Sequence, residues 1–281
     1  MTSSAPIIPN QKPDLLSKFN QAKIDRPEFM TDSLVMTMAV SMAFAGSETT
    51  AISLSSVFYH LLKTPRCLTK LLTEIDDVAR SGGFEDVDGG LVTWGEAQKL
   101  EYLDACVKEA FRVHPAPGLL LERIVPKGGA DIAGVFVEGG TIVGVNAWVV
   151  HRRKEIFGED VEVFRPERWL IDGSKKLEVS SPRRKSPEPG GIAKLLEFDI
   201  FCGWLTNVLT QDEEKRIKEM TGTMLQFGQG ARTCIGKNIS LLEIYKLVPS
   251  VLRRFEVSAP SPLSPLLLLL YATGETLADA Q

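Results

Sequence analysis

The stretch "FGQGARTCIG", Phe227 to Gly236, places one cysteine among three glycines and an arginine, directly ahead of an apolar, helix-like segment. Backbone N–H groups and the dipole at a helix start stabilise a thiolate, and Arg232 adds positive charge two residues before Cys234. Gly228, Gly230 and Gly236 let the chain bend sharply and lie close to a flat surface. A thiolate so placed can be a nucleophile, a redox thiol or a metal ligand; an ordinary glycine-rich turn with a core cysteine is the plain alternative. The loop begins G-x-G, yet its third glycine comes too late for a dinucleotide fingerprint and no lysine stands where a phosphate loop needs one. A base for a cysteine nucleophile would have to be His60, His114 or His151, none within a supporting motif. Zinc would need HExxH or clustered Cys/His pairs, and the sequence has neither.

Three further stretches carry chemistry-bearing side chains. "AGSETT", Ala45 to Thr50, puts Gly46, Ser47, Glu48 and Thr49 inside the most apolar helical stretch. Mid-helix glycine costs about 1 kcal/mol relative to alanine. The hydroxyls there compete for backbone carbonyls. Such groups are expensive on an apolar helix unless water or a ligand lies beside them, the alternative being a kinked packing site. "KEAFR" sets Glu109 and Arg112 at i, i+3, a common surface pair, and "FRPERW" supplies Arg168, which can join them in a buried network.

These groups need a scaffold to hold them. From Asp25 to Leu62 the pattern is long and apolar on most sides, the mark of a helix packed among many neighbours, with Asp25 or Thr31 as cap and Pro27 in the first turn. Arg66 to Arg80 reads as a second helix, and Leu100 to Val113 as a third, stopped by Pro115. Between Leu119 and Val150, β-branched residues broken by glycines read as a small sheet of hairpins, with "GTIVGVNAWVVH" the clearest strand. Phe164 to Leu170 reads as a proline-bounded loop, and Ile235 to Arg254 as a last helix that Pro249 should kink or shorten. The fold class is mainly α with a small β-sheet subdomain.

Composition removes several classes. A net charge of -4 over 281 residues offers no footprint for nucleic acid. Cys67, Cys106, Cys202 and Cys234 lie far apart without a CxxC pair, which argues against a disulfide framework; three of them read as core residues. The longest apolar run, Leu34 to Gly46, is too short to span a bilayer, and no signal peptide opens the sequence.

In order along the chain, "AGSETT", Glu109-x-x-Arg112, "PERW" and Phe227-x-x-Gly230-x-Arg232-x-Cys234-x-Gly236 resemble the cytochrome P-450 family, particularly its fungal members. The resemblance covers about Asp25 to Val257 and implies the C-terminal portion of the thiolate-heme fold. It implies that Cys234 is the axial ligand of heme iron, its anionic sulfur pushing electron density onto the metal. Phe227 would pack beside the sulfur, Gly230 and Gly236 would let the loop lie on the porphyrin, and Arg232 and Arg123 would pair with heme propionates. Gly46 would open the helix to make room for oxygen, Thr49 would hold water or oxygen, and Glu48 would serve proton delivery. Glu109, Arg112 and Arg168 resemble the family's structural triad. The implied activity is monooxygenation of a small apolar organic substrate, with electrons from a separate NADPH-dependent reductase docked near Lys237 and Lys246.

The sequence also departs from the family. Relatives carry about as much chain again before the long helix, including a membrane anchor that would place the whole protein on the endoplasmic reticulum. The division expected is a polar extension over residues 1–24, a partial family domain over 25–259 and an atypical tail over 260–281. Within the domain, residues 174–211, which open with "SKKLEVSSPRRKSPEPGG", read as an insertion. An uncovered apolar face on Leu34–Phe58 is expected, with poor solubility. Two competing readings remain: a catalytically inactive remnant, and a heme-thiolate isomerase or dehydratase.

Overall fold

Arg26 precedes a proline, and that dipeptide divides what periodicity reads as a single helix. In the computed structural model, which describes residues 14–85, 90–171 and 212–258, helix α1 runs Leu15–Asp25 and ends at Arg26. The Ser17 amide bonds the Asp14 carboxylate at 2.7 Å to start α1, none of whose residues is buried. Helix α2, Asp32–Lys63, starts from Thr31, one of the two caps expected, and not from Asp25: residues 26–31 form a turn and Thr31 accepts the Leu34 amide at 3.2 Å. Pro27 therefore terminates one helix instead of opening the next.

Helix α3, Pro65–Arg80, has its proline in the first turn, where a missing N–H costs nothing, and buries Cys67, Leu71 and Ile75 on one face. The short α4, Trp94–Ala97, is held by a capping box between Thr93 and Glu96. Helix α5, Glu101–Val113, lacks a side-chain cap of its own; Glu74 of α3 supplies one from outside, accepting the amides of Tyr102 at 2.7 Å and Leu103 at 3.0 Å. Strand β1, Leu121–Ile124, pairs antiparallel with β4, Ile142–Val145, and β2, Ala130–Ile132, with β3, Val135–Val137.

The strand expected to run through "NAWVVH" stops at Val145. Asn146 accepts the Trp148 amide at 2.8 Å and starts α6, Ala147–Val150, so a good N-cap overrides the β-propensity of the valines. Helix α7, Lys154–Phe157, comes next, and Pro166–Trp169 is a 3-10 turn where the sequence suggests a loop. Residues 212–223 form α8, and α9 spans Lys237–Arg254. Pro249 neither ends α9 nor shortens it. Val248, Pro249 and Ser250 are all buried, and the Ser250 hydroxyl accepts the Val92 amide at 2.9 Å, so tertiary packing outweighs the lost backbone bond.

Among the described residues, those up to Ala51 form one compact unit and those from Ile52 another. The first buries Met30 and Val35 but exposes Met36, Val40 and Phe44 of α2, the last at 67%. In the second unit Val57, Leu61, Leu71, Ile75, Leu103 and Ile244 share one apolar core. No described helix is long and apolar enough to cross a membrane. The expected insertion at 174–211 and the tail at 260–281 lie outside the described residues.

Candidate functional site

In the second unit, α5 carries Glu109 and Arg112 at 0% exposure, and the 3-10 turn brings Arg168 and Trp169 to meet them at 1% and 4%. Arg112 donates through Nε and Nη2 to the two Glu109 oxygens at 3.0 and 2.8 Å. Arg168 Nε reaches Glu109 Oε1 at 2.9 Å, Trp169 Nε1 reaches Oε2 at 2.8 Å, and the Arg165 amide adds a bond to Oε1 at 3.0 Å. Of the remaining guanidinium hydrogens, those of Arg112 go to the carbonyls of His151, Val161 and Val163, and those of Arg168 to the carbonyls of Phe157, Asp160 and Val163 and to the Asp160 carboxylate. Two buried cations thus share one carboxylate, and Asp160 adds a second bridge to Arg168 at 3.1 Å. With this many bonds satisfied the cluster fixes where α5, α7 and the 3-10 turn sit.

The cysteine loop hangs from this frame. The ring of Phe227 stacks edge-on against Phe111 of α5, centroids 5.5 Å apart, and Lys237 Nζ lies 5.8 Å from its centre. The Cys234 amide bonds the Phe227 carbonyl at 2.8 Å, closing the loop, while Gly228 and Gly230 sit at φ +65° and +69°, backbone that only glycine takes without strain. Gly236 is the residue before α9; a Cβ there would stand 3.9 Å from Cys234 Sγ, so the sulfur lies over that glycine. Cys234 is exposed, whereas Cys67 and Cys106 are fully buried and their thiols are pushed up in pKa by burial; Cys202 lies outside the described residues. Arg232 is exposed in the 3-10 turn Gly230–Arg232. Arg123 on β1 donates to the Gln229 carbonyl at 3.1 Å and so brings a second guanidinium to the loop.

The donor set fits a thiolate-bound heme: an accessible sulfur, a loop closed by backbone bonds with glycine beneath the sulfur, and two exposed arginines suited to carboxylates. Among the described residues no three His, Cys, Asp or Glu side chains group as a metal site of their own.

In the first unit, "AGSETT" remains helical throughout, so Gly46 does not open α2. A Cβ on Gly46 would meet no atom within 4 Å. The hydroxyl of Thr49 donates to the Ala45 carbonyl at 2.6 Å, the local bond that hydroxyl residues make within helices, and Glu48 is exposed.

Three contributors escape a reading of the sequence. Asp160 binds Arg165 and Arg168 and is held at about 2, first by the Arg165 hydrogen bond. Glu167, neighbour of the cluster arginine, instead turns outward to Arg66, Lys70 and the Tyr102 hydroxyl. His151 is fully buried and bridges two backbones. The proline bounding Glu167 and the run of acids before "FRPERW" are visible in the sequence; their partners lie too far along the chain for spacing to show.

The family described as Cytochrome P450 matches residues 3–184 and 211–269. The chain is similar to the Cytochrome P450 monooxygenase cicH of Emericella nidulans, 41% identical over 249 residues that make up 89% of this chain and 41% of the relative. A Cytochrome P450 monooxygenase of Aspergillus terreus is 40% identical over 87% of the chain and 41% of its own length. Pisatin demethylase of Fusarium vanettenii is 35% identical over 76% of the chain and 32% of its own. The chain thus spans about two fifths of the first of these relatives.

Proposed function

The chain belongs to the cytochrome P450 family, and from that premise we propose that it is the heme-binding portion of a monooxygenase that places one oxygen atom from O2 into a small apolar organic molecule. The observation that carries this reading is the exposed thiol of Cys234, on a loop closed by the Phe227–Cys234 backbone bond at the head of α9. Cys234 would hold the iron, Arg123 and Arg232 would take the propionates, and Phe227 would shield the sulfur. When bound, the heme supplies the oxygen activation that side chains lack. On α2, the Thr49 hydroxyl would orient water and the Glu48 carboxylate would pass protons. The exposed Leu119 and Leu120 offer apolar surface toward a substrate of that kind.

Electrons in this reading come from an NADPH-dependent reductase, with Lys237 and Lys246 on its docking face, and the whole protein resides on the endoplasmic reticulum membrane. The insertion at 174–211 stays part of the proposal as an intron translated by mistake; the gap in the family match supports it for residues 185–210, while residues 174–184 lie within the match. Sequencing the transcript across that junction tests the intron reading, and a message that always contains the segment refutes it. An inactive remnant is the second reading, supported by the apolar side chains that α2 leaves exposed.

The decisive experiment supplies hemin to the chain, reduces it and adds carbon monoxide. The red-shifted Soret band of thiolate ligation is expected in the native chain and absent in Cys234→Ser. The same band in both overturns the assignment, and no band in either favours the remnant.

A further inference from the structure

His151 sits directly after α6, is fully buried, and uses both ring nitrogens on backbone. Its Nε2 stands 2.8 Å from the Leu225 amide and its Nδ1 3.3 Å from the Arg112 carbonyl. An amide can only donate, so Nε2 must be the bare acceptor and Nδ1 must carry the proton toward Arg112. Burial, then the cations Arg112 and Arg152, hold the ring's pKa down at about 4, against the pull of the Arg112 and Phe111 carbonyls, so it is neutral at pH 7. The grip is reciprocal, because Arg112 Nη1 donates to the His151 carbonyl at 3.2 Å.

Leu225 comes just after α8 and two residues before Phe227. Its carbonyl accepts the Gly228 amide at 2.9 Å, and the Phe227 carbonyl accepts that of Cys234 at 2.8 Å. A continuous path therefore runs from the Glu109–Arg112 cluster through one imidazole to the amide that closes the cysteine loop. Phe157 packs against the ring edge-on, centroids 6.4 Å apart.

We propose that His151 is the positioning residue of the cysteine loop: its Nε2 lone pair anchors Leu225 and so fixes the approach of Phe227 and Cys234 to whatever the sulfur binds. The consequence for heme rests on the function proposed for Cys234, but the anchoring itself does not, and it is measured without heme.

The test separates the two nitrogens. His151→Asn keeps a polar group near the Nδ1 position and cannot reach Leu225; His151→Gln keeps an acceptor near the Nε2 position. Amide hydrogen exchange is followed in the heme-free full chain at pH 7, together with the rate at which a maleimide alkylates Cys234. The Asn variant is expected to speed exchange at Leu225 by about tenfold or more, as befits a lost buried hydrogen bond, with the Cys234 amide and thiol changing in step. The Gln variant is expected to return both toward native values. Native exchange in the Asn variant, or equal behaviour of the two variants, overturns the proposal. Should both fail to fold, the native imidazole 15N shifts decide: an Nδ1-protonated neutral ring supports the anchor, and an Nε2-protonated ring refutes it.

Discussion

Replacing Glu109 by glutamine removes one charge and one acceptor from a fully buried, well-satisfied cluster. The native carboxylate accepts five hydrogen bonds: on Oε1 from Arg112 Nη2, Arg168 Nε and the Arg165 amide, and on Oε2 from Arg112 Nε and Trp169 Nε1. A glutamine would turn its oxygen to the three-donor side, and its NH2 would then face two donors. Arg168, at 1% exposure, would be left with Asp160, itself 36% exposed at its side chain, and Arg112, at 0%, would lose the carboxylate of its ion pair. Removing one member of a buried pair costs about 3–5 kcal/mol, against a domain stability of about 5–15 kcal/mol. With a urea dependence of about 1–3 kcal/mol per molar, the unfolding midpoint should fall by more than about 1 M. Urea unfolding of the full chain at pH 7, monitored by far-UV circular dichroism, measures it. Asp77→Asn is the control, since the Asp77–Arg80 bridge is 61% and 74% exposed and should contribute less than about 1 kcal/mol. A loss for Glu109→Gln as small as the control's would refute the claim that this cluster holds the frame together.

Gly228→Ala forces a Cβ onto a backbone at φ +65° and should cost about 1–2 kcal/mol, whereas Gly236→Ala, at φ -82° and with only a 3.9 Å contact to Cys234 Sγ, should cost much less; thermal melting of both distinguishes them. At pH 7 one equivalent of maleimide should modify Cys234 in preference to Cys67 and Cys106, read by peptide mass spectrometry, because the latter two are buried and their thiols are raised in pKa. His151 and His60 are both held down at about 4, chiefly by burial, against about 6.5 in an unfolded chain. The unfolded chain therefore binds protons that the folded one refuses, and stability should be full above pH 6.5 and decline from there toward pH 5. Asp160 and Glu167, at about 2, add to that loss only in more acid solution, while Glu74, its carboxyl raised by burial, opposes it. In a Glu74→Gln background, a urea midpoint that is flat or rises between pH 7 and 5 therefore contradicts the burial of these rings.

How much the sequence discloses depends on the range of the interactions concerned. The third helix is legible to within a residue, since α5 owes its register to an apolar face repeating every turn. "KEAFR" and "PERW" are recognisable because each half of the cluster is local. Their union depends on a 59-residue separation that no spacing rule encodes. The misleading signals lie where a local rule meets a stronger one: Pro27 suggests the opening of a helix that it separates from its predecessor, and Asn146 turns a strand of valines into α6. Pro249 fails to break α9 because buried neighbours hold both sides of it.

The same distinction explains how the chain can hold an exposed thiol in a fixed place. A loop with glycines at positive φ is cheap to bend and correspondingly weak at fixing geometry, so its order must come from outside. Two contacts tie the loop to the helix and cluster that hold Glu109, where removal of any charge is expensive: the Phe111–Phe227 ring pair and the imidazole between Arg112 and Leu225; the Arg123 bond to Gln229 adds support from β1. Damage to the cluster should therefore loosen the loop even though no cluster side chain touches Cys234 in any hydrogen bond described. In a Glu109→Asp variant, which keeps the charge but shortens the reach, maleimide modification of Cys234 and exchange at its amide should rise together while the helical circular dichroism holds. Should the loop stay as protected as in the native chain, the frame and the thiol are independent, and the rigidity at Cys234 has to originate within the ten residues from Phe227 to Gly236.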